Sequence, residues 1–148
     1  NVKGELILPT EYEEPTMDEN KRRGMSTNFG IWWDGDLLRE LLDHETVQKY
    51  DWKTGRVNVI KRFDGRFNNG TKSNPCLSGD ILGDWREEVL VRDAQSTMLK
   101  LYTTDIPTDH RITCLMQDVP YRLSIATENV AYNQPPEPGF YLGVGMTK

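Results

Sequence analysis

A chain of 148 residues is long enough for one domain with a hydrophobic core, and nothing in its length requires two. Its net charge of −5 opposes long-range attraction to nucleic acid phosphates and to anionic membranes, so we predict neither as a partner. The hydrophobic share is only 36%, but four tryptophans argue against disorder, and this composition suits a β-rich protein with large polar loops.

The first part of the chain alternates between strand patterns and polar segments. Residues 1–8 are typical of a short strand, and the charged, proline-containing stretch that follows indicates a surface loop. Residues 26–33 are aromatic and β-branched, which predicts a strand ending at the Asp34-Gly35 turn. Residues 37–42 fit either one face of a helix or a buried strand, and periodicity leaves both open.

The middle of the chain contains two predicted antiparallel hairpins. Residues 46–50 and 56–60 alternate around a turn that contains Gly55. Residues 88–92 and 98–103 form a second pair, in which Leu99 and Leu101 point to one face of the strand.

Two further short strands are predicted at residues 111–116 and 121–126, separated by a turn that contains Pro120. Short strands with regular turn signals are typical of an all-β sandwich, barrel or propeller. No apolar run approaches the length that a transmembrane helix needs, so we expect no membrane span.

A polar loop precedes the second hairpin. Asn69 and Gly70 are residue types that tolerate positive φ, and Lys72 follows them as a cation at the edge of the loop. Such a loop can present a charge to a ligand, although most lysines are simply solvated at the surface.

The segment from Asp80 to Glu88 has the spacing of a calcium loop. Calcium prefers six to eight oxygen ligands, and a curled loop supplies them from alternate carboxylates and backbone carbonyls. We therefore predict side-chain ligation by Asp80, Asp84 and Glu88, carbonyl ligation by Leu82 and Arg86, and Glu87 facing solvent or a neighbouring strand. The alternative is a turn whose acidic side chains face water.

Cys76 and Cys114 are the two cysteines, and neither has the spacing or the histidine neighbours of a zinc site. We interpret both as buried free thiols, with a disulfide left open.

Several motifs, in order along almost the whole chain, closely resemble polysaccharide lyase family 11, the rhamnogalacturonan lyases. Residues 9–24 are the exception and are interpreted as an insertion or a divergent loop. The motifs that carry the resemblance stand at residues 28–43, 69–72, 83–88, 102–104, 110–111 and 129–136.

The resemblance implies a fold and a cofactor. The family is an eight-bladed β-propeller that carries several calcium ions, and residues 1–148 resemble only its C-terminal blades. Within such blades we expect Trp32, Trp33 and Trp85 to pack in the core, and His44 and His110 to be structural.

The resemblance also implies an activity, which is β-elimination in the rhamnose-galacturonate backbone of pectin. Lys72 and Tyr132 are then the candidate catalytic residues, and Asn69, Gly70 and Thr71 are candidate substrate-binding residues. Catalysis needs the uronate carboxylate neutralised and a base beside the α proton. Tyr132 read without the family is equally a packing aromatic before a proline turn.

Three further expectations complete this interpretation. The protein is expected to be secreted or periplasmic, with any export signal outside this chain. The isolated segment is expected to be inactive or nearly so, and to self-associate through open strand edges or need the missing blades. The alternative function is a non-catalytic, calcium-stabilised propeller module that binds carbohydrate or protein.

Overall fold

The computed structural model describes residue 3 and residues 27–70, 72–130 and 133–146. The predicted first strand, apart from residue 3, and the predicted insertion at residues 9–24 lie outside the described residues. Within the described part of the chain, the regular structure consists of two antiparallel sheets, a 3₁₀ turn and one α-helix.

The first sheet has four strands in sequential order, each antiparallel to the next. Its strands are β1 (Gly30–Ile31), β2 (Glu40–Asp43), β3 (Thr46–Asp51) and β4 (Arg56–Arg62). The segment that periodicity left open therefore ends in a strand and contains no helix. The buried side chains of β2 explain this outcome, because they pack on both faces of the strand.

The β3–β4 hairpin confirms the prediction from alternation and turn chemistry. Gly55 has a φ of +69°, which favours glycine, and its N–H donates to the carbonyl oxygen of Asp51 at 2.8 Å. The Asp51 carboxylate also accepts a hydrogen bond from the Lys53 N–H at 2.9 Å. The turn is therefore fixed by local bonds from both the backbone and a side chain.

The second sheet has three strands, β5 (Leu77–Gly79), β6 (Glu88–Arg92) and β7 (Leu99–Tyr102). Its β6–β7 pair confirms the second predicted hairpin. Leu99 and Leu101 share a face as predicted, but they are 63% and 47% exposed, whereas Tyr102 points inward and packs 5.0 Å from the ring of Phe63. The described residues thus leave an apolar strip uncovered on β7.

The prediction of strands at residues 111–116 and 121–126 is wrong. The chain instead forms a 3₁₀ turn at Leu115–Gln117 and an α-helix, α1, at Val119–Thr127. Asp118 caps α1, since its carboxylate accepts from the Tyr121 N–H at 3.1 Å, and Pro120 lies in the first turn, where a missing N–H does no harm. The all-β prediction is confirmed apart from this helical segment.

Two clusters of buried side chains form the core. The first lies between the sheets and contains Phe29, Ile31, Trp33, Leu42, Val47, Phe63, Phe67, Val89 and Val91. The second lies around α1 and contains Trp32, Trp85, Leu115, Tyr121 and Leu142. The predicted core role of the three tryptophans is confirmed.

Cys76 and Cys114 are free thiols, but both are only partly buried, so the prediction of full burial is wrong. Cys76 directly precedes β5, and Cys114 directly precedes the 3₁₀ turn. Among the described residues, no helix has the length and apolar character needed to cross a membrane.

Candidate functional site

The polar loop before β5 is closed by a pair of backbone hydrogen bonds. The backbones of Asn68 and Asn74 donate to each other's carbonyl oxygens at 2.7 and 3.1 Å, and the Ser73 N–H donates to the Asn69 carbonyl at 2.7 Å. Asn69 has a φ of +58°, as predicted for this position. The tight turn places Gly70 at its exposed tip and half-buried Lys72 just after it.

Two features of this loop suit a ligand. A Cβ atom added to Gly70 would meet nothing within 4 Å, so the tip is open to approach. The Asn69 side-chain oxygen faces the Lys72 N–H at 3.5 Å, which orients the turn around Lys72. The loop therefore presents polar groups at an accessible edge.

A chain of side-chain amides joins this loop to the segment that follows α1. Asn69 Nδ2 donates to Asn133 Oδ1 at 3.4 Å, Asn133 Nδ2 donates to Asn129 Oδ1 at 2.7 Å, and Asn129 Nδ2 donates to the Cys76 carbonyl at 2.6 Å. We call these three side chains the amide relay. The predicted site residues Thr71 and Tyr132 lie outside the described residues, but the relay brings Asn69 to the residue that follows Tyr132.

The predicted calcium loop at residues 80–88, called the second acidic loop below, directs its carboxylates to separate donors. Glu88 accepts from the N–H groups of Ile81 and Leu82 at 2.9 Å each and from the Thr103 hydroxyl at 3.0 Å. Asp84 is exposed and pairs with the guanidinium of Arg86.

Asp80 differs from its neighbours in this loop. It is fully buried, one oxygen accepts from the Leu115 N–H at 2.7 Å, and the other has no hydrogen-bond partner within the described chain. Such an oxygen suits a hard cation. Ligation by Asp80, Asp84 and Glu88 together would require the present bonds to be exchanged, and the ligand assignment, including the carbonyls of Leu82 and Arg86, stays a prediction.

A different group of acids converges. In residues 34–40, called the first acidic loop, carboxylate oxygens of Asp34, Asp36 and Glu40 lie within 4.8 Å of one another, and no other such trio was found among the described residues. The Lys49 ammonium of β3 lies among them, with Nζ 2.6, 2.5 and 2.8 Å from their oxygens. Sequence reasoning treated Asp34-Gly35 as a turn only, although the Asp-Gly-Asp spacing was the available signal.

The charges of this trio are coupled. Burial raises the pKa of Glu40 to about 7, against the lowering effect of its bond to Lys49. Burial alone would lower the pKa of Lys49, but its bonds to Asp34, Asp36 and Glu40 raise it above its usual value. Lys49 therefore stays protonated at neutral pH and offsets part of the negative charge of the acids.

The first acidic loop has the donor chemistry for a metal ion, because three carboxylates within reach of one centre are ligands that hard cations prefer. Lys49 already makes the contacts that such a cation would make. Asp34, Asp36 and Glu40 would hold a metal only if the ammonium of Lys49 moved away.

Two buried carboxyl groups lie around α1, and sequence analysis assigned neither to this position. Glu87 was expected to face either solvent or a neighbouring strand, and its full burial excludes solvent. It accepts from the Tyr121 hydroxyl at 2.7 Å and from the Trp32 N–H, next to β1, at 2.8 Å. Burial raises the pKa of Glu87 to about 7, although Arg39, 3.9 Å away, acts in the opposite direction. The alternation of β6 contained no signal for this burial because Glu87 precedes the strand.

Glu128, at the end of α1, anchors the helix to β5. Its two oxygens accept from the Ser78 N–H at 2.9 and 3.0 Å, and the Ser78 hydroxyl donates at 2.9 Å. Burial raises the pKa of Glu128 to about 7, while the bonds from Ser78 lower it. This anchor fixes the position of the residue that follows it, Asn129, which belongs to the amide relay.

Comparison with known families and proteins bears on this site. The model of the C-terminal domain of rhamnogalacturonan lyase family 11 matches residues 12–148. The match therefore includes the polar loop, both acidic loops and the amide relay.

Two curated relatives come from Bacillus subtilis (strain 168). The chain is 55% identical over 124 residues to the rhamnogalacturonan endolyase YesW, covering 83% of this chain and 20% of the relative. It is 50% identical over 132 residues to the rhamnogalacturonan exolyase YesX, covering 83% and 22%. The chain thus spans about a fifth of the length of these relatives.

Solved structures give the same result. The crystal structure of rhamnogalacturonan lyase YesW matches with a TM-score of 0.80 at 55% identity, covering 83% of this chain and 21% of that one. A rhamnogalacturonan lyase of Bacillus licheniformis matches with a TM-score of 0.80 at 56% identity, covering 82% and 21%. Because the family model covers residues 12–148, the chain belongs to rhamnogalacturonan lyase family 11 and corresponds to the C-terminal domain of that family.

Proposed function

We propose that this chain is the C-terminal part of a rhamnogalacturonan lyase and contributes one wall of its sugar-binding cleft. The contact that carries the proposal joins Asn69 Nδ2 and Asn133 Oδ1 at 3.4 Å. It supports placing the loop of Asn69 and Lys72 beside Asn133, the residue that follows Tyr132 in the sequence, although the two segments are far apart in the chain. Asn69, Lys72 and Tyr132 are the positions to which the family resemblance assigns substrate binding and catalysis.

The proposed reaction is β-elimination at a galacturonate residue of the rhamnogalacturonan backbone. The proton on the carbon next to the uronate carboxylate is removed by the base, and its electron pair forms a double bond to the neighbouring carbon. The bond from that carbon to the leaving sugar oxygen breaks, and the oxygen takes up a proton. Lys72 is the proposed proton acceptor or counter-charge, and Tyr132 is the proposed donor to the sugar or to the leaving oxygen. Asn69, Gly70 and Thr71 are proposed to bind the sugar.

The test is the substitution Lys72→Ala in the full-length protein that contains this chain. We expect elimination, followed by the ultraviolet absorbance of the unsaturated product, to fall by about 100-fold or more, with the unfolding midpoint unchanged. Lys53→Ala is the matched control, because Lys53 is an exposed lysine in the β3–β4 turn, where its ammonium lies 5.5 Å from the Trp52 ring centre. Equal activity of both variants would contradict the role of Lys72.

Absence of elimination in the wild-type full-length protein, with binding of the polysaccharide retained, would support a non-catalytic carbohydrate-binding module instead. The 148-residue chain alone is proposed to show little or no turnover, because about four-fifths of the relatives' length lies outside it. Turnover by the isolated chain at the rate of the full-length protein would contradict this.

Calcium is the proposed cofactor, and when bound it would supply positive charge to neutralise the substrate carboxylate. The two acidic loops are the candidate sites in this chain. A calcium-dependent rise in the unfolding temperature is expected, since a ligand that binds only the native state stabilises it. If Asp36→Asn abolishes this rise, the calcium site is assigned to the first acidic loop, and if Asp84→Asn abolishes it, to the second. No rise in the wild-type protein would contradict a calcium site in this chain.

The isolated chain is further proposed to self-associate or to need the missing part of the protein. Met98, Leu99 and Leu101 are exposed at or beside β7, which is an edge strand of its sheet. Sedimentation of the wild-type chain and Leu99→Lys tests this, and a strictly monomeric wild type at high micromolar concentration would contradict it. Because pectin lies outside the cells that degrade it, we also propose that the parent protein is secreted or periplasmic.

A further inference from the structure

The amide relay has a direction that is set at one end. A backbone carbonyl oxygen can only accept, so Asn129 must turn its Nδ2 towards the Cys76 carbonyl, 2.6 Å away. Its Oδ1 is then left to face Asn133, which must donate from Nδ2 at 2.7 Å. Each amide thus determines which atom the next amide presents.

The direction continues into the polar loop. Asn133 turns its Nδ2 towards Asn129, so its Oδ1 faces Asn69. Asn69 therefore donates from Nδ2 to Asn133 Oδ1, at 3.4 Å. Asn69 Oδ1 is left on the side of Lys72, whose N–H it faces at 3.5 Å. The Cys76 carbonyl, through the side chains of Asn129 and Asn133, determines which end of the Asn69 amide faces the predicted sugar site.

The relay stands on a rigid support. Asn129 follows Glu128, whose buried carboxylate is bonded to Ser78 of β5, and the Val130 N–H donates to the Thr127 carbonyl at 2.9 Å. Asn133 is itself buried, at 8% exposed. A side chain held in this way transmits orientation, because it cannot rotate without breaking bonds at both ends.

We propose that Asn129 and Asn133 are positioning residues that orient the amide of Asn69 for sugar binding, an inference that rests on the proposed function. Neither residue needs to contact the substrate. Their effect is exerted through Asn69, so substitutions of Asn129 or Asn133 should change substrate affinity. These substitutions should have no effect when Asn69 lacks its side-chain amide.

The test uses Asn133→Asp in the full-length protein. This nearly isosteric change removes the donor to Asn129, so two oxygens face each other where the Asn133 amide donated at 2.7 Å. Their repulsion displaces the side chain at position 133, so its oxygen no longer lies where it orients the Asn69 amide. We expect KM for rhamnogalacturonan to rise about tenfold and kcat to change by less than about twofold. This is the result expected when the lost interaction stabilises the bound substrate and the transition state equally. Asn58→Asp, on the exposed side of β4, is the matched control and should leave both constants unchanged.

A double-mutant cycle separates positioning from a general structural effect. In an Asn69→Ala background, Asn133→Asp should cause no further rise in KM. A further tenfold rise there, or an unchanged KM in the single variant, would overturn the proposal. Asn129→Asp is the second variant, for use if Asn133→Asp unfolds, and the same two outcomes decide it.

Failure of this inference is distinguishable from failure of the proposed function. If the wild type cleaves rhamnogalacturonan and the relay variants match it, the relay inference alone fails. If the wild type does not cleave, calorimetric binding of rhamnogalacturonan fragments replaces KM in the same comparison, and absence of binding overturns both proposals.

Discussion

The first acidic loop (residues 34–40) and the second acidic loop (residues 80–88) contain similar acids and use them differently. In the first loop, three carboxylates converge on the ammonium of Lys49, which comes from another strand. In the second loop, Glu88 bonds mainly to backbone N–H groups of its own loop, and Asp84 to a guanidinium two residues away. Spacing along the chain is therefore a weaker guide to a cation site than the donors that the fold brings to the carboxylates.

Removal of the ammonium from the first acidic loop gives the largest expected effect. Lys49→Met leaves buried Glu40 and its two aspartate neighbours without a counter-charge, which should lower the free energy of unfolding by about 3 kcal/mol. Urea denaturation of the 148-residue chain measures this change. Lys53→Met is the control and should change stability by less than about 0.5 kcal/mol, since Lys53 is exposed. A loss below about 1 kcal/mol for Lys49→Met would show that the trio is not held together by Lys49.

The next prediction contrasts a carboxyl group that has a lysine partner with one that has only neutral donors. Glu128 is bonded to Ser78 alone, and its pKa is raised from 4.5 to about 7 in the folded state. Its contribution to stability is fully present below about pH 4.5 and is lost as pH rises through 7, by an amount on the order of 3 kcal/mol. Glu128→Gln should remove this part of the pH dependence between about pH 4.5 and 7.

Denaturation of wild type and Glu128→Gln at several pH values measures the difference in slope. Glu40 and Glu87 lose stability in the same pH window, so the wild-type slope should be reduced and not abolished. Asp105→Asn, an exposed acid-to-amide change, should leave the slope unchanged. Retention of the full slope in Glu128→Gln would exclude Glu128 as a titrating group.

The smallest expected effects lie within the second acidic loop. Glu88→Gln keeps the shape of the side chain but cannot accept from the Ile81 and Leu82 N–H groups and from Thr103 as the carboxylate does, so we expect a loss of about 1–2 kcal/mol. Asp84→Asn should cost less than about 0.5 kcal/mol, because its pair with Arg86 is local and exposed. Equal losses, measured by thermal unfolding without calcium, would contradict this ranking.

The sheets were largely predictable because their determinants are local. The β3–β4 and β6–β7 hairpins follow from the alternation of apolar and polar residues and from turn residues such as Gly55. Gly55 has the positive φ that such a turn needs. The helix α1 was missed because its short apolar segment also fits a strand. The cap Asp118 and the adjacent Pro120 were the local signals that distinguish the two.

The candidate site was predictable only in part. The turn at Asn69 follows from residue type, but its contact with Asn133 joins positions 64 residues apart, and no local pattern encodes it. The same holds for Lys49 in the first acidic loop and for Glu128 beneath Ser78, since each depends on how separate elements pack. Motif similarity indicated the region of the candidate site, whereas the bonds that organise it depend on the tertiary structure.

Arg39 links the two ends of the described chain. Its guanidinium donates to the carbonyl oxygens of Gly30 in β1 and Pro136 and pairs with Glu137, while its charge lies 5.5 Å from the ring centre of Trp32. A segment held in this way should not detach before β1 does. We therefore expect the backbone amides of Asn133, Gln134 and Glu137 and those of β1 to exchange their hydrogens at similar rates, as one cooperative unit whose opening would also break the amide relay.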